Sequence, residues 1–140
     1  MDFPRECGSA QEMEALGREL AVDLAPGEVV ALSGPLGAGK TQLVKGVALG
    51  LGYEGEVTSP TFTLLHEYRG GRRDLLHLDF YRIEDAAEVE ALGWDELRED
   101  GAVVVVEWGE KFPGLLPAKS RRLEIEILPG GQRRVHERPG

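Results

Sequence analysis

Eight consecutive residues constrain this chain more than any others: Gly34-Pro35-Leu36-Gly37-Ala38-Gly39-Lys40-Thr41. They satisfy the pattern G-x-x-x-x-G-K-[ST] at every fixed position. With this composition, about 0.004 such matches are expected by chance in the whole chain. The glycines let the backbone curl so that its N–H groups converge on one concavity at a helix N-terminus, a natural seat for phosphate. Lys40 is placed to reach β- and γ-phosphates, and the Thr41 hydroxyl to sit on Mg²⁺. The flanks agree. Residues 28–33 hold Val-Val-Ala-Leu, an apolar run of the kind found in buried strands. Residues 40–51 read as a helix stopped near Gly50 and Gly52. The segment therefore points to a nucleoside triphosphate, bound by Gly34 through Thr41.

The motif does not choose between ATP and GTP. The chain contains no asparagine, so the Asn-Lys-x-Asp element that reads guanine in common GTPases is impossible. ATP is favoured by elimination. Sixteen basic residues against 25 acidic ones leave a formal net charge of −9, which argues against a stand-alone nucleic-acid binder. Cys7 is the one cysteine, so there is no intrachain disulfide and no Cys/His zinc pattern. The longest wholly apolar run, 102–106, is far too short to cross a bilayer. Asp2, Arg5 and Glu6 stand where a signal peptide would be apolar. A cytoplasmic protein of one domain, residues 1–140, is expected.

Ser9 and Glu12 form a capping-box pattern, and Met13, Leu16, Leu20 and Leu24 follow at helical spacing, which predicts a helix over 9–24. Residues 61–68 and 74–81 read as strands joined through Gly70-Gly71 as a hairpin. Asp85 and Glu88 open a short helix that ends at Gly93. Residues 102–107 form another buried strand, and 111–117 a proline-rich loop. Leu123, Ile125 and Ile127 alternate with charged residues, as in a half-buried, edge-type strand, and Pro129-Gly130-Gly131 turns the chain into a last strand near 133–137. The sum is an α/β fold: a mixed sheet of the phosphate-loop NTPase kind flanked by helices, with a β-hairpin and a C-terminal antiparallel strand pair.

A phosphate-loop enzyme needs a carboxylate at the end of a neighbouring strand. Asp79 ends one apolar run and Glu107 another. Glu107 is favoured as the metal ligand with Thr41, and Asp79 as the group that orients water or the metal's waters; sequence leaves these roles interchangeable. Thr58, Ser59 and Thr61 carry hydroxyls that suit a γ-phosphate switch or a plain Ser-Pro turn. Trp108 follows Glu107 and reads as a core aromatic by default, or else as a lid near the nucleotide. His66, His77 and His136 have no evident partners and read as structural. Arg69, Arg72 and Arg73 resemble the lid of a small-molecule kinase, although Gly70-Gly71 leaves little room for one. Arg133 and the first helix are candidates for contact with the base. The acidic stretch 84–100 reads as a solvated face or a docking surface for a basic partner.

Together the Gly34–Thr41 loop, Thr58-Ser59-Pro60-Thr61-Phe62, His77-Leu78-Asp79-Phe80-Tyr81-Arg82 and Val106-Glu107-Trp108 resemble the bacterial TsaE family in order and spacing, over nearly the whole chain. Leu16-Gly17 fits as well. Pro35 departs from the family, which often has an acidic residue or asparagine there. The resemblance implies a Mg²⁺-dependent ATPase that works with the proteins TsaD and TsaB in the threonylcarbamoyl modification of tRNA adenosine, touching tRNA only through the complex. It implies Lys40, Asp79 and Glu107 as catalytic residues, Thr41 and Glu107 on the metal, Thr58 to Thr61 as the switch, and Trp108 near the nucleotide. A nucleotide-gated docking module and a small-molecule kinase remain the alternatives.

Overall fold

The computed structural model describes residues 1–55 and 65–138. Its strands are β1 (Arg5–Cys7), β2 (Val29–Ser33), β3 (Leu65–Tyr68), β4 (Leu75–Asp79), β5 (Val103–Glu107), β6 (Arg121–Ile127) and β7 (Arg133–Arg138). Its helices are α1 (Ala10–Asp23), α2 (Lys40–Gly50), α3 (Ala86–Glu90) and α4 (Trp94–Glu99). The strands form one sheet in the order β1-β7-β6-β2-β5-β4-β3. The four middle strands, β6, β2, β5 and β4, run parallel. The outer pairs β3–β4, β6–β7 and β1–β7 are antiparallel. The expected mixed α/β sheet, the hairpin and the C-terminal strand pair are all present.

Strand alternation sorts the side chains onto two faces. Val30, Leu32, Leu75, Val103 and Val105 join the core beneath α1 and α2. Val29, Leu76, Leu78, Val104 and Val106 join a second core that contains Phe80, Ile83, Val89 and Trp94. Both faces of β5 are covered, which explains its unbroken valine run.

Two expectations need correction, and one strand has no signature in the sequence. β6 is not an edge strand: it lies between β2 and β7. Its alternation arises because Leu123 and Ile125 face the α1–α2 core while Glu124 and Glu126 project the other way, where Glu124 and Glu126 meet Arg138 and His136 across the strands. Gly93 does not merely end α3; at φ 69° it is the N-cap of α4, whose Trp94 plugs the second core. The short edge strand β1 also carries no strand pattern in the sequence, because its three residues gain strand geometry only by pairing with β7.

Ser9 caps α1 by accepting from the Glu12 N–H at 3.1 Å, as its capping box predicts, but the Glu12 carboxylate reaches the N–H of Gly8 rather than that of the cap itself. α1 packs on α2 through an unusually close backbone approach. A Cβ on Gly46 would lie 2.0 Å from the Glu14 carbonyl oxygen, and one on Gly17 2.3 Å from that of Leu43. Backbone cannot yield as a flexible side chain can, so the two helices would have to separate. Gly46→Ala is expected to lower unfolding stability by at least about 2 kcal/mol, read as a fall in the urea midpoint at unchanged slope. An unchanged midpoint would mean the helices are not held this tightly.

Candidate functional site

The chain leaves β2 at Ser33 and enters the glycine-rich loop, which is turned by a hydrogen bond from the Ala38 N–H to the Pro35 carbonyl at 3.1 Å. Gly39 precedes α2 with φ 103° and offers no capping side chain. The first N–H groups of α2 therefore lack a side-chain acceptor from the cap and are placed to receive an anion. A side chain at Gly39 would be strained by that φ and would press on Met13. Arg133 braces the loop from β7: its guanidinium donates to the carbonyls of Ala38 at 3.1 Å and Gly37 at 3.0 Å, and also to that of Gly131.

Register then assembles the acids. Asp79 and Glu107 are direct partners at the C-terminal ends of the parallel strands β4 and β5. With the loop they line a cleft of about 410 Å³ that includes Leu36, Gly37, Gly39, Lys40, Thr41, Tyr81 and Trp108. Ligands of open parallel sheets bind at this end of the strands. The sequence candidates Gly37, Gly39, Lys40, Thr41, Asp79, Glu107 and Trp108 thus share one cavity. Gly34, Pro35 and Ala38 belong to the loop that frames it, and Leu36 projects almost wholly into solvent. Thr58, Ser59 and Thr61 lie outside the described residues.

By the same alternation that places Val103 and Val105, Glu107 projects toward α2, where Lys40 stands. Its Oε1 lies 3.5 Å from Lys40 Nζ, and its Oε2 lies 2.6 Å from His77 Nε2. Lys40 Nζ also donates to the Gly34 carbonyl at 2.8 Å. Burial pushes the Glu107 carboxyl up, but the hydrogen bond and charge of His77, joined by Lys40, outweigh it and hold the group below its ordinary value. Asp79 stays half-buried and accepts the Tyr81 N–H at 2.9 Å on Oδ1, closing the turn that follows β4.

Several side chains differ from their sequence reading. Trp108 is not core: it is 41% exposed, adopts φ 60° and sits against Tyr81 with ring centroids 4.9 Å apart at the cleft mouth. Each histidine has a partner. His77 meets Glu107, His66 Nδ1 lies 3.2 Å from the Tyr68 hydroxyl, and His136 lies 3.0 Å from Glu126. No local pattern marks the His77 and His136 pairs, because strand pairing makes them. The arginines of the hairpin form no lid. Arg69 pairs with Glu67 and Asp74, and Arg72 donates to the carbonyls of Gly50 and Ala21. They sit beyond the opposite end of β4, about 13 Å along the strand from Asp79. Arg133 and α1 do approach the loop. They line an adjoining cavity of about 260 Å³ with Cys7, Ala10 and Met13, and burial raises the Cys7 thiol. The carboxylates of α3 and α4 are exposed, which suits a solvated face and a docking surface alike. No helix among the described residues is long and apolar enough to cross a membrane.

The model of the family "Threonylcarbamoyl adenosine biosynthesis protein TsaE" matches residues 7–135. The chain belongs to the TsaE family. This TsaE-family chain is 42% identical over 127 residues to the "tRNA threonylcarbamoyladenosine biosynthesis protein TsaE" of Treponema pallidum, covering 91% of this chain and 93% of that protein. It is 44% identical over 121 residues to the protein of the same name from Bacillus subtilis, covering 86% and 74%. A crystal structure of Bacillus subtilis YdiB matches 99% of this chain and 86% of that one, with a TM-score of 0.79 at 31% identity.

Two outcomes follow from this geometry. Trp94 is 2% exposed and Trp108 41%, so acrylamide should quench one of the two fluorescence components, and Trp108→Phe should remove the quenchable one. Glu107 is depressed from its ordinary value of 4.5. Its contribution to stability is therefore complete above that value and is lost as pH falls through the lower, folded-state value. Glu107→Gln is expected to flatten the stability–pH curve in this acid range, measured by urea unfolding at stepped pH; an equally steep curve would contradict the pairing.

Proposed function

We propose that this chain binds Mg²⁺·ATP and hydrolyses it in support of threonylcarbamoyladenosine formation on tRNA, acting with TsaD and TsaB. The observation that carries this reading is the convergence of Lys40, Thr41, Asp79 and Glu107 on one cleft beside the glycine-rich loop. In the reading, the loop N–H groups and the start of α2 hold the phosphates. Lys40 exchanges the Gly34 carbonyl for phosphate oxygens. The adjoining cavity, walled by Ala10, Met13 and Arg133, takes the base.

The residues also fit Mg²⁺. Among the described residues no group of three or more His, Cys, Asp or Glu forms a ready cage. Mg²⁺ on nucleotides needs none, because it takes one or two protein oxygens and completes its shell with phosphates and water. Thr41 and Glu107 would hold it, and Asp79 would orient water. When bound, the ion neutralises charge on the β- and γ-phosphates. The net charge of −9 suits a subunit that leaves tRNA to its partners. The small-molecule kinase reading loses support because the hairpin arginines lie at the other end of the sheet.

The test is phosphate release from Mg²⁺·ATP, alone and with purified TsaD and TsaB. Slow release alone, clear stimulation by the partners and a loss of at least about 100-fold in Lys40→Ala are expected. Undiminished release in Lys40→Ala would sink the site assignment. A Glu107→Ala chain that binds ATP, does not hydrolyse it and still sustains full multi-turnover modification would make this a nucleotide-gated docking module instead.

A further inference from the structure

His77 is fully buried in the middle of a sheet strand. Its neighbours Leu76 and Leu78 enter the second core, while position 77 shares the α1–α2 face with Leu75, where an aliphatic side chain would bury no polar atom. The ring instead places Nε2 2.6 Å from Glu107 Oε2, while Nδ1 has no hydrogen-bond partner among the described residues. That asymmetry fixes the donor. A proton on Nε2 meets the carboxylate, in the neutral ring and in the imidazolium alike. A ring protonated on Nδ1 alone would set a lone pair against the carboxylate and bury an unmet N–H. Oε2 is thereby occupied from the protein side. Oε1, 3.5 Å from Lys40 Nζ, is the oxygen left to the cleft.

We propose that His77 is a positioning residue: by holding Oε2 it turns the Glu107 carboxylate so that Oε1 alone faces the metal and phosphates. This rests on the Mg²⁺·ATP reading above. A glutamate side chain free to rotate would offer its oxygens in many geometries. Mg²⁺ demands near-ideal octahedral angles and is sensitive to that disorder. Partners that orient a ligand from behind commonly change metal affinity by about 10- to 100-fold when removed.

The experiment measures binding of a non-hydrolysable ATP analogue by calorimetry, first in EDTA and then across a Mg²⁺ series. The variants are His77→Leu, His77→Asn and His77→Gln. A glutamine amide can present its N–H near the position of Nε2; the shorter asparagine amide cannot reach. His77→Leu and His77→Asn are expected to raise the Mg²⁺ concentration for half-maximal effect about tenfold, while affinity in EDTA stays that of the wild type. His77→Gln should restore most of the loss. In a Glu107→Gln background, His77→Leu should add no further shift.

If wild-type binding depends on Mg²⁺ and the histidine variants keep the wild-type midpoint, His77 is structural filling and the proposal fails while the nucleotide reading stands. A further shift by His77→Leu in the Glu107→Gln background also overturns it. If the wild type binds no nucleotide, or binds it without regard to Mg²⁺, both fall. Should His77→Leu not fold, the contrast between His77→Asn and His77→Gln decides.

Discussion

Glu107 is a carboxylate withdrawn from water at the end of the most enclosed strand of the sheet. Desolvating such a group costs several kcal/mol. The molecule keeps it charged by placing two donors on its two oxygens, His77 at 2.6 Å and Lys40 at 3.5 Å. Each of these contacts depends on a different level of structure. His77 arrives through the parallel register of β4 with β5. Lys40 arrives because α2 begins where the glycine-rich loop ends. The orientation of Glu107 arrives through strand alternation, which sends positions 103, 105 and 107 to the face that α1 and α2 cover.

The rest of the fold keeps those levels in place. The parallel pairing of β4, β5 and β2 gathers the strand ends and the loop on one rim of the sheet. α1 seats α2 by close backbone approach at Gly17 and Gly46 as well as by the side chains the two helices share in one core, which leaves α2 little freedom to slide. The C-terminal strand contributes more than an extra layer of pairing. Through Arg133 it binds carbonyls of the loop, so the loop is fastened to β7 as well as to the start of α2. The hairpin carries its arginines to the opposite rim, where local carboxylates and carbonyls already occupy Arg69 and Arg72.

Much of this was legible without coordinates. The loop, the strand before it and the helix after it follow from eight residues and their flanks. Asp79 and Glu107 stood out because each closes an apolar run, and a strand end is where such a run stops. What escaped was set by distant neighbours. β6 alternates like an edge strand because one of its faces is solvated, although both of its edges are paired. Trp108 looks like core by composition, yet the left-handed backbone after Glu107 turns it outward against Tyr81. His77 sits among leucines with nothing nearby in sequence to pair with, and its partner is 30 residues away.

The sequence by itself determined the local chemistry: where a glycine-rich loop must curl, which segments make most of the strands and helices, and which carboxylates end strands. Those properties depend on backbone sterics and on periodicity within a few residues. Only the tertiary structure decided which of these groups meet. Contact between Glu107, His77 and Lys40, the bracing of the loop by Arg133 and the exposure of Trp108 all require strand order and register. Those are settled by burying two apolar faces at once, a condition on the whole sheet that no short window of residues contains.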